Sequence, residues 1–150
     1  MGIQGIFNNY VLLCGLVAWG IAQIIKLPLD YLKNKRWNWA LLISAGGMPS
    51  SHSALVASTA IGTGLFIGFD SPVFALAFAV SMVVIYDATG IRRQAGIHAQ
   101  TINLLVEQLL KGKFTPDKQL REVLGHTPLE ALGGVILGII TPLVIWILKK

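Results

Sequence analysis

Four long apolar segments constrain this chain more than any other feature of its sequence. They run approximately from Ile6 to Ile25, Ser53 to Phe69, Pro72 to Tyr86 and Leu132 to Leu148. A helix needs about 20 apolar residues to cross a bilayer, within a range of about 17–25, so the first and fourth segments are long enough and the other two are short. Between the short pair, Gly68, Asp70 and Pro72 predict a tight turn that joins two antiparallel helices.

The composition leaves little material for a water-facing surface. Of the 150 residues, 54% are hydrophobic and only 13% are charged, whereas soluble domains carry about a quarter charged residues. A disordered protein, a nucleic-acid-coating domain and a disulfide-rich secreted module are therefore disfavoured. A membrane protein or a very apolar obligate oligomer remains, and the short pair could also be two buried helices of a soluble core. We predict an all-α integral membrane bundle of about four transmembrane helices, forming one domain over residues 1–150.

The positive charge is concentrated in two loops. The net charge is +5, from 12 Lys and Arg against 7 Asp and Glu. Ten of the twelve basic residues separate the first segment from the second or the third from the fourth: Lys26, Lys33, Lys35, Arg36, Arg92, Arg93, Lys111, Lys113, Lys118 and Arg121. Four antiparallel spans place both loops on one side, which the positive-inside rule makes cytoplasmic. We therefore expect the chain in the bacterial inner membrane with both termini outside, although Lys149 and Lys150 oppose this orientation.

One further helix is predicted beside the four spans. The segment from Gln94 to Leu110 mixes polar and apolar residues at helical spacing, which indicates an amphipathic helix at the membrane interface or packed on the bundle. Trp37 and Trp39 precede the second apolar segment and suit the interfacial aromatic belt.

Polar residues gather at the predicted cytoplasmic ends of the spans, and the first such cluster is Gly-Gly-Met-Pro-Ser-Ser-His-Ser at residues 46–53. Ser50 or Ser51 is a natural N-cap, and the unpaired N–H groups of the helical turn that follows attract an anion. His52 adds a group that titrates near neutral pH. The alternative is an ordinary capped helix start with a hydrogen-bonded interfacial histidine.

The second cluster, residues 126–130, lies just before the fourth apolar segment. Thr127 and Glu130 have the spacing of a capping box, and Pro128 falls at the first helical position, so a helix cap explains Glu130 completely. The functional alternative makes His126 a nucleophile or base, with Glu130 holding its imidazole in the right tautomer. Both interpretations stay open from this segment alone.

The third cluster, residues 87–93, ends the third apolar segment. Gly90 can stop a helix in the left-handed conformation. Arg92 and Arg93 could bind a phosphate in bidentate geometry or anchor to lipid headgroups, and Asp87 could simply pair with one of them. Lys26 ends the first segment, where snorkelling to the interface is the alternative to a place in a site.

All three clusters lie at one end of the predicted bundle, which favours one common site over three separate structural roles. Two histidines, a carboxylate partner and several cations around one interfacial cavity suit phosphoryl transfer, which depends on positioning and charge neutralisation. The sequence has no Cys/His metal spacing and no H-E-x-x-H, Walker A or G-x-S-x-G motif. No metal and no cofactor is therefore predicted.

Residues 46–53 resemble the type 2 phosphatidic acid phosphatase superfamily, which includes the vanadium haloperoxidases and carries K-x6-R-P, P-S-G-H and S-R-x5-H-x3-D. Together with residues 87–93 and 124–130, they look like the small, divergent, acid-phosphatase-related branch of that superfamily. The resemblance covers nearly the whole chain. It implies a bundle of membrane helices that acts on a lipid phosphate.

The resemblance also implies a role for each matching residue. Residues 49–52 match the second motif with Ser51 in place of glycine, so His52 would protonate the leaving alcohol while backbone N–H groups of Ser50 and Ser51 hold phosphate oxygens. His126 would attack phosphorus and form a phosphohistidine, oriented by Glu130 where the family has aspartate.

The cations match the family less closely. Lys33, not arginine, follows Lys26 at the spacing of the first motif, and Arg121 lies five residues before His126 where the motif has six. We therefore expect Lys26 and Arg36 to contact the phosphate together with Arg92 and Arg93 of another helix, with Asp87 in a supporting place.

Three functions remain after the sequence alone. The first is a membrane-embedded phosphatase that hydrolyses a lipid phosphate monoester or diphosphate. The second is a non-catalytic binder or carrier of a phospholipid or polyprenyl phosphate, and the third is a small helical scaffold. The expected partners are a phosphorylated lipid and the bilayer, with no nucleic acid. A homodimer is also expected, because four spans of which two are short make a thin bundle.

Overall fold

A computed structural model describes residues 4–42, 46–109, 120 and 125–150 of the chain. They form six helices: α1 Gln4–Phe7, α2 Tyr10–Asn34, α3 Ser51–Phe66, α4 Pro72–Thr89, α5 Ile91–Leu109 and α6 Pro128–Lys149, with a 3₁₀ turn at Trp39–Leu42. No strand occurs in this part of the chain. Lys111, Lys113, Lys118 and Arg121, which the charge analysis counted, lie outside the described residues.

The bundle is built around α3. This helix packs against α6, α2 and α4, whereas the backbones of α2 and α4 do not approach each other within the described residues. The α3–α6 crossing is close because small residues face each other there, with Gly134 and Gly138 of α6 lying on Ser53, Ala54 and the backbone around them. Glycines four residues apart let two helix backbones approach, which is the usual way membrane helices pack.

Three stretches are long and apolar enough to cross a membrane: α2, the α4–α5 stretch Pro72–Leu109 and α6. Since a helix rises about 1.5 Å per residue, the 16 residues of α3 span only about 24 Å. The all-α membrane bundle is thus confirmed. Of the four predicted spans, three meet the length of a span, and α3 is the short helix that they surround.

Helices α2, α3, α4 and α6 place their ends at two poles. Tyr10 at the start of α2 stacks on Phe66 at the end of α3, with ring centres 5.4 Å apart, and Lys149 Nζ lies 3.5 Å from the Tyr10 ring centre. At the other pole, called here the site end, Lys26 of α2 reaches Ser51 at the start of α3. Lys149, which opposed the orientation drawn from the charges, therefore sits on aromatic rings at the pole away from the site.

Local sequence signals set most of the helix boundaries. The turn before α4 is confirmed: Gly68 has φ +129°, Ser71 caps α4 by accepting a hydrogen bond from the Phe74 N–H, and Pro72 begins the helix. The amphipathic helix is confirmed as α5. The prediction for Gly90 is wrong, because its φ is −101° and α5 begins at the next residue, so the chain bends there without a left-handed stop.

The end of the first span also differs from the sequence prediction. The apolar segment stops at Ile25, yet α2 continues for nine residues beyond it to Asn34. The side chain of Lys26 is 1% exposed, so its charge faces the bundle and does not end the helix at an interface. In the last turn of α2 and just beyond it, the exposed rings of Tyr31, Trp37 and Trp39 form a stack, with centres 4.7 and 6.0 Å apart.

Candidate functional site

The site end brings the three sequence clusters together. Ser50 at the start of α3 donates its N–H to the Glu130 carbonyl of α6 at 2.9 Å, and His126 donates its N–H to the Ala88 carbonyl of α4 at 2.8 Å. Two backbone hydrogen bonds therefore fix the segment before α6 to the beginning of α3 and to the end of α4. These chain segments therefore converge in the fold, as the sequence predicted.

His126 and Glu130 form the centre of this end. His126 is 4% exposed, and its Nδ1 lies 3.1 Å from Glu130 Oε2. The same Oε2 accepts the N–H of Thr127 at 3.1 Å, while Thr127 Oγ1 accepts the N–H of Glu130 at 3.3 Å and completes the capping box. One carboxylate oxygen thus caps α6 and also holds His126. The helix-cap role and the orienting role of Glu130 are therefore compatible. Because Nδ1 donates to Glu130, the free nitrogen for chemistry is Nε2.

Gly125 allows the backbone before His126 to lie close to the α4–α5 bend. It has φ +85°, in the left-handed region that favours glycine. A Cβ built on it would lie 2.8 Å from the Ala88 carbonyl oxygen and from the backbone of Arg92. The sequence shows a glycine before the histidine, but its role depends on this close approach to the α4–α5 bend, which no local pattern predicts.

The serines at the start of α3 are buried and hydrogen bonded. Ser50 is the N-cap: its Oγ accepts the N–H of Ser53 at 3.2 Å and the Ser53 hydroxyl at 3.0 Å. Ser51 Oγ accepts a hydrogen bond from Lys26 Nζ at 3.3 Å, and all three of these serines and Lys26 are at most 1% exposed. Since the Ser50 N–H is used by Glu130, the first-turn amides that have no acceptor among the described residues are those of Ser51 and His52.

His52 is exposed and faces His126. The two ring centres are 6.4 Å apart, close enough for both rings to act on one small group. His52 lies in the first turn of α3, outside the three spans. Partial desolvation of its ring, followed by electrostatic interactions with His126, Lys26 and Arg92, lowers the pKa of His52 from its ordinary 6.5. This imidazolium is therefore a stronger acid than an isolated one.

The basic residues predicted to bind phosphate differ in their positions relative to the site. Arg92 donates from Nε to Asp87 Oδ2 at 2.6 Å, and both side chains reach solvent, so the expected pairing of Asp87 with an arginine is confirmed. Arg93 lines a cavity of about 230 Å³, together with Gly47, Gln100, His126 and Glu130 among other residues. Arg36 is exposed beyond the end of α2 and does not line this cavity, so we leave it out of the proposed site.

The donor set of the site suits an anion better than a metal ion. Within the described residues, no three His, Cys, Asp or Glu side chains are grouped to hold a metal ion. Arg93 instead lines the cavity with His126, while Lys26 and Arg92 lie close enough to act electrostatically on His52, and the charges of Lys26 and Glu130 interact. Such a group of cations and first-turn amides neutralises a phosphate-like charge.

Known proteins resemble the chain over almost its full length. A family model described as the divergent PAP2 family matches residues 7–141. The uncharacterized membrane protein YuiD of Bacillus subtilis (strain 168) is 38% identical over 151 residues, which cover 93% of this chain and 96% of the relative. No solved structure matches significantly. With its three apolar helices, the chain is an integral membrane protein.

Proposed function

Because the chain belongs to the divergent PAP2 family, we propose that it is a membrane-embedded phosphatase that hydrolyses a lipid phosphate monoester or diphosphate through a phosphohistidine. The observation that carries this proposal is the buried His126, held through Nδ1 by Glu130 and facing His52 at 6.4 Å between ring centres. A nucleophile, the group that orients it and an acid are the three parts that such a reaction needs.

In the first half of the proposed reaction, the Nε2 lone pair of His126 attacks phosphorus. The bond between phosphorus and the ester oxygen breaks, and that oxygen takes a proton from the His52 imidazolium, so the lipid alcohol leaves neutral. Glu130 stabilises the positive charge that develops on the His126 ring, because its Oε2 accepts the Nδ1–H. Arg93, Lys26 and the amides of Ser51 and His52 neutralise the phosphoryl oxygens.

In the second half, water replaces His126 on phosphorus. The now neutral His52 takes a proton from this water as the oxygen attacks, and the bond between phosphorus and Nε2 breaks. Inorganic phosphate leaves, His126 regains its lone pair, and His52 is again an imidazolium. The lowered pKa of His52 favours the first proton transfer, since the stronger acid protonates the leaving alkoxide more readily.

A non-catalytic binder or carrier of a phosphorylated lipid is the second candidate function. The cations of the site would suffice for it, because Arg93 lines the cavity with His126 and Lys26 of α2 lies at the start of α3. A binder needs these cations and no proton transfer, so it would tolerate a neutral donor at position 126.

We also propose that the site end faces the cytoplasm of a bacterial inner membrane. The described basic residues Lys33, Lys35, Arg92 and Arg93 lie at this end, following the trend that cytoplasmic loops are positive. Lys149 contacts aromatic rings at the opposite pole, where those contacts give its charge a local partner.

The proposed function is tested by phosphate release from purified protein in detergent, over a panel of diacyl and polyprenyl phosphates and diphosphates. We expect release from at least one lipid and its inhibition by vanadate, whose trigonal bipyramidal form resembles the phosphoryl transition state. Saturable lipid binding without any phosphate release would favour the carrier. No release, no binding and no vanadate effect together would contradict both candidates.

A matched pair of variants separates the two roles of Glu130. Thr127→Ala removes the Oγ1 that caps the Glu130 N–H but leaves the carboxylate on His126, so we expect a stability loss of about 1 kcal/mol and nearly full activity. Glu130→Ala removes the cap and the partner of Nδ1 together, and we expect a loss of activity of about 100-fold or more. Thermal unfolding and phosphate release are measured on both. Equal activities in the two variants would contradict the orienting role.

A further inference from the structure

A second cavity, distinct from the site, lies between α2 and α4 on the exposed side of α3. Its volume is about 620 Å³, within the range of about 300–1,000 Å³ usual for small-molecule sites. We call it the groove. The helices α2 and α4 bound it, and their backbones stay apart in the described chain, so it opens between two membrane-spanning stretches. Its α3 side is lined by Leu55, Val56, Thr59, Thr63 and Ile67.

The groove lies on the face of α3 that also carries His52. His52 precedes Leu55 and Val56 by three and four residues, so its side chain lies on the same face of α3 one turn nearer the site end. From Leu55 to Ile67 the groove follows α3 for about 18 Å. A molecule whose charged end lies between His52 and His126 can therefore extend along this face toward the opposite pole.

Apart from Asn9 at the start of α2, whose Oδ1 accepts the N–H of Leu12, the groove is lined by apolar side chains and by hydroxyls that already have acceptors. Thr59 and Thr63 donate their hydroxyls to the carbonyls of Leu55 and Thr59 at 2.9 and 2.8 Å, and Ser81 donates to the carbonyls of Val56 and Ala77 at 2.8 and 2.7 Å. The other α4 residues in the lining are apolar, namely Val73, Leu76, Ala77 and Val80. Hydrocarbon is the matching occupant, because hydroxyls satisfied in this way cost nothing further when water is excluded.

We propose that the groove holds one hydrocarbon chain of the lipid whose phosphate lies at the two histidines, and that its length sets the chain-length preference. This inference rests on the proposed function for the identity of the headgroup. Because Ser81 hydrogen bonds to Val56, and α4 runs antiparallel to α3, Ala77 lies about one turn and Val73 about two turns farther from the site. The lining residues of α4 thus mark increasing depth along the chain.

Filling the groove at known depths tests the proposal. Ala77→Phe should lower kcat/KM for a long-chain lipid phosphate at least about tenfold, because several methylenes lose their buried surface, and leave a short, water-soluble ester with the same headgroup unchanged. Val73→Phe should affect only the longest chains. Ala79→Phe is the matched control, since Ala79 is exposed on α4 and does not line the groove.

Photolabelling needs no turnover, so it tests occupancy of the groove independently of the phosphatase activity. A diacyl phosphatidic acid with a diazirine near one chain end, added to the His126→Ala protein, should label residues 55–67 or 73–81, and Ala77→Phe should abolish this labelling. Labelling in the groove, together with no phosphate release by the parent protein from any lipid of the panel, would support the groove and contradict the phosphatase. Equal kinetics of Ala77→Phe and Ala79→Phe, labelling elsewhere only, or disulfide cross-linking of two Ala77→Cys copies without lipid labelling would overturn the groove proposal.

Discussion

Replacing His126 with alanine should reduce phosphate release at least about 100-fold, the usual scale for loss of a nucleophile or of general acid–base catalysis. His126 is buried at 4% exposure, its Nδ1 is held by Glu130, and its ring faces His52, so no other described side chain has the same geometry. The substitution also removes the proposed covalent intermediate. We expect acid-labile, base-stable phosphate on the parent protein during turnover and none on His126→Ala.

His98→Ala is the control for this prediction. His98 is the third histidine of the chain, exposed on α5 and away from the cavity that His126 lines. It should retain the parent activity, whereas His52→Ala should lose activity to an extent similar to that of His126→Ala. Full activity of His126→Ala with any lipid that the parent hydrolyses would refute the phosphohistidine. A neutral His126→Gln protein that still binds lipid with parent affinity would assign His126 to chemistry alone.

Gly134→Ala should cost both stability and activity, although it adds one methyl group to a helix. Its Cβ would overlap the carbonyl oxygen of Ser50 and lie 2.9 Å from Ser53 Cβ. Neither neighbour can rotate away, because one is backbone and the other is a Cβ, so α3 and α6 must move apart. Overpacking of this kind costs about 1–3 kcal/mol. The same shift separates His52 from His126, and misplacement of about 1 Å can cost about 100-fold in rate.

Gly133→Ala is the matched control, one residue away on the same helix. A Cβ at Gly133 would lie 3.5 Å from Pro49 Cβ and 3.6 Å from Met48 Cε, which is ordinary contact. Alanine there gains up to about 1 kcal/mol of helix propensity over glycine. Thermal unfolding in detergent should therefore show a lower Tm for Gly134→Ala only. Equal Tm and activity of the two variants would show that the α3–α6 crossing tolerates expansion at this point.

Helix caps were the part of the fold that sequence predicted best. Ser50 and Thr127 both cap the helices expected of them, because a cap depends on a side chain and a backbone N–H only three residues away. The surroundings of Lys26 could not be predicted in this way. A lysine ends an apolar run in sequence, but here its ammonium donates a hydrogen bond inside the bundle to Ser51, which lies 25 residues away.

The sequence by itself determined that the chain forms apolar helices in a membrane, that its chemistry-bearing residues lie at one end of them, and that Glu130 caps α6. These properties follow from length, periodicity and neighbours within a turn. Only the tertiary structure decided that the same Glu130 oxygen holds His126, that Arg93 reaches the cavity while Arg92 is neutralised by Asp87, and that a groove leads away from His52. Such facts depend on how closely helix backbones approach, and glycines such as Gly125 and Gly134 set that distance between segments remote in sequence.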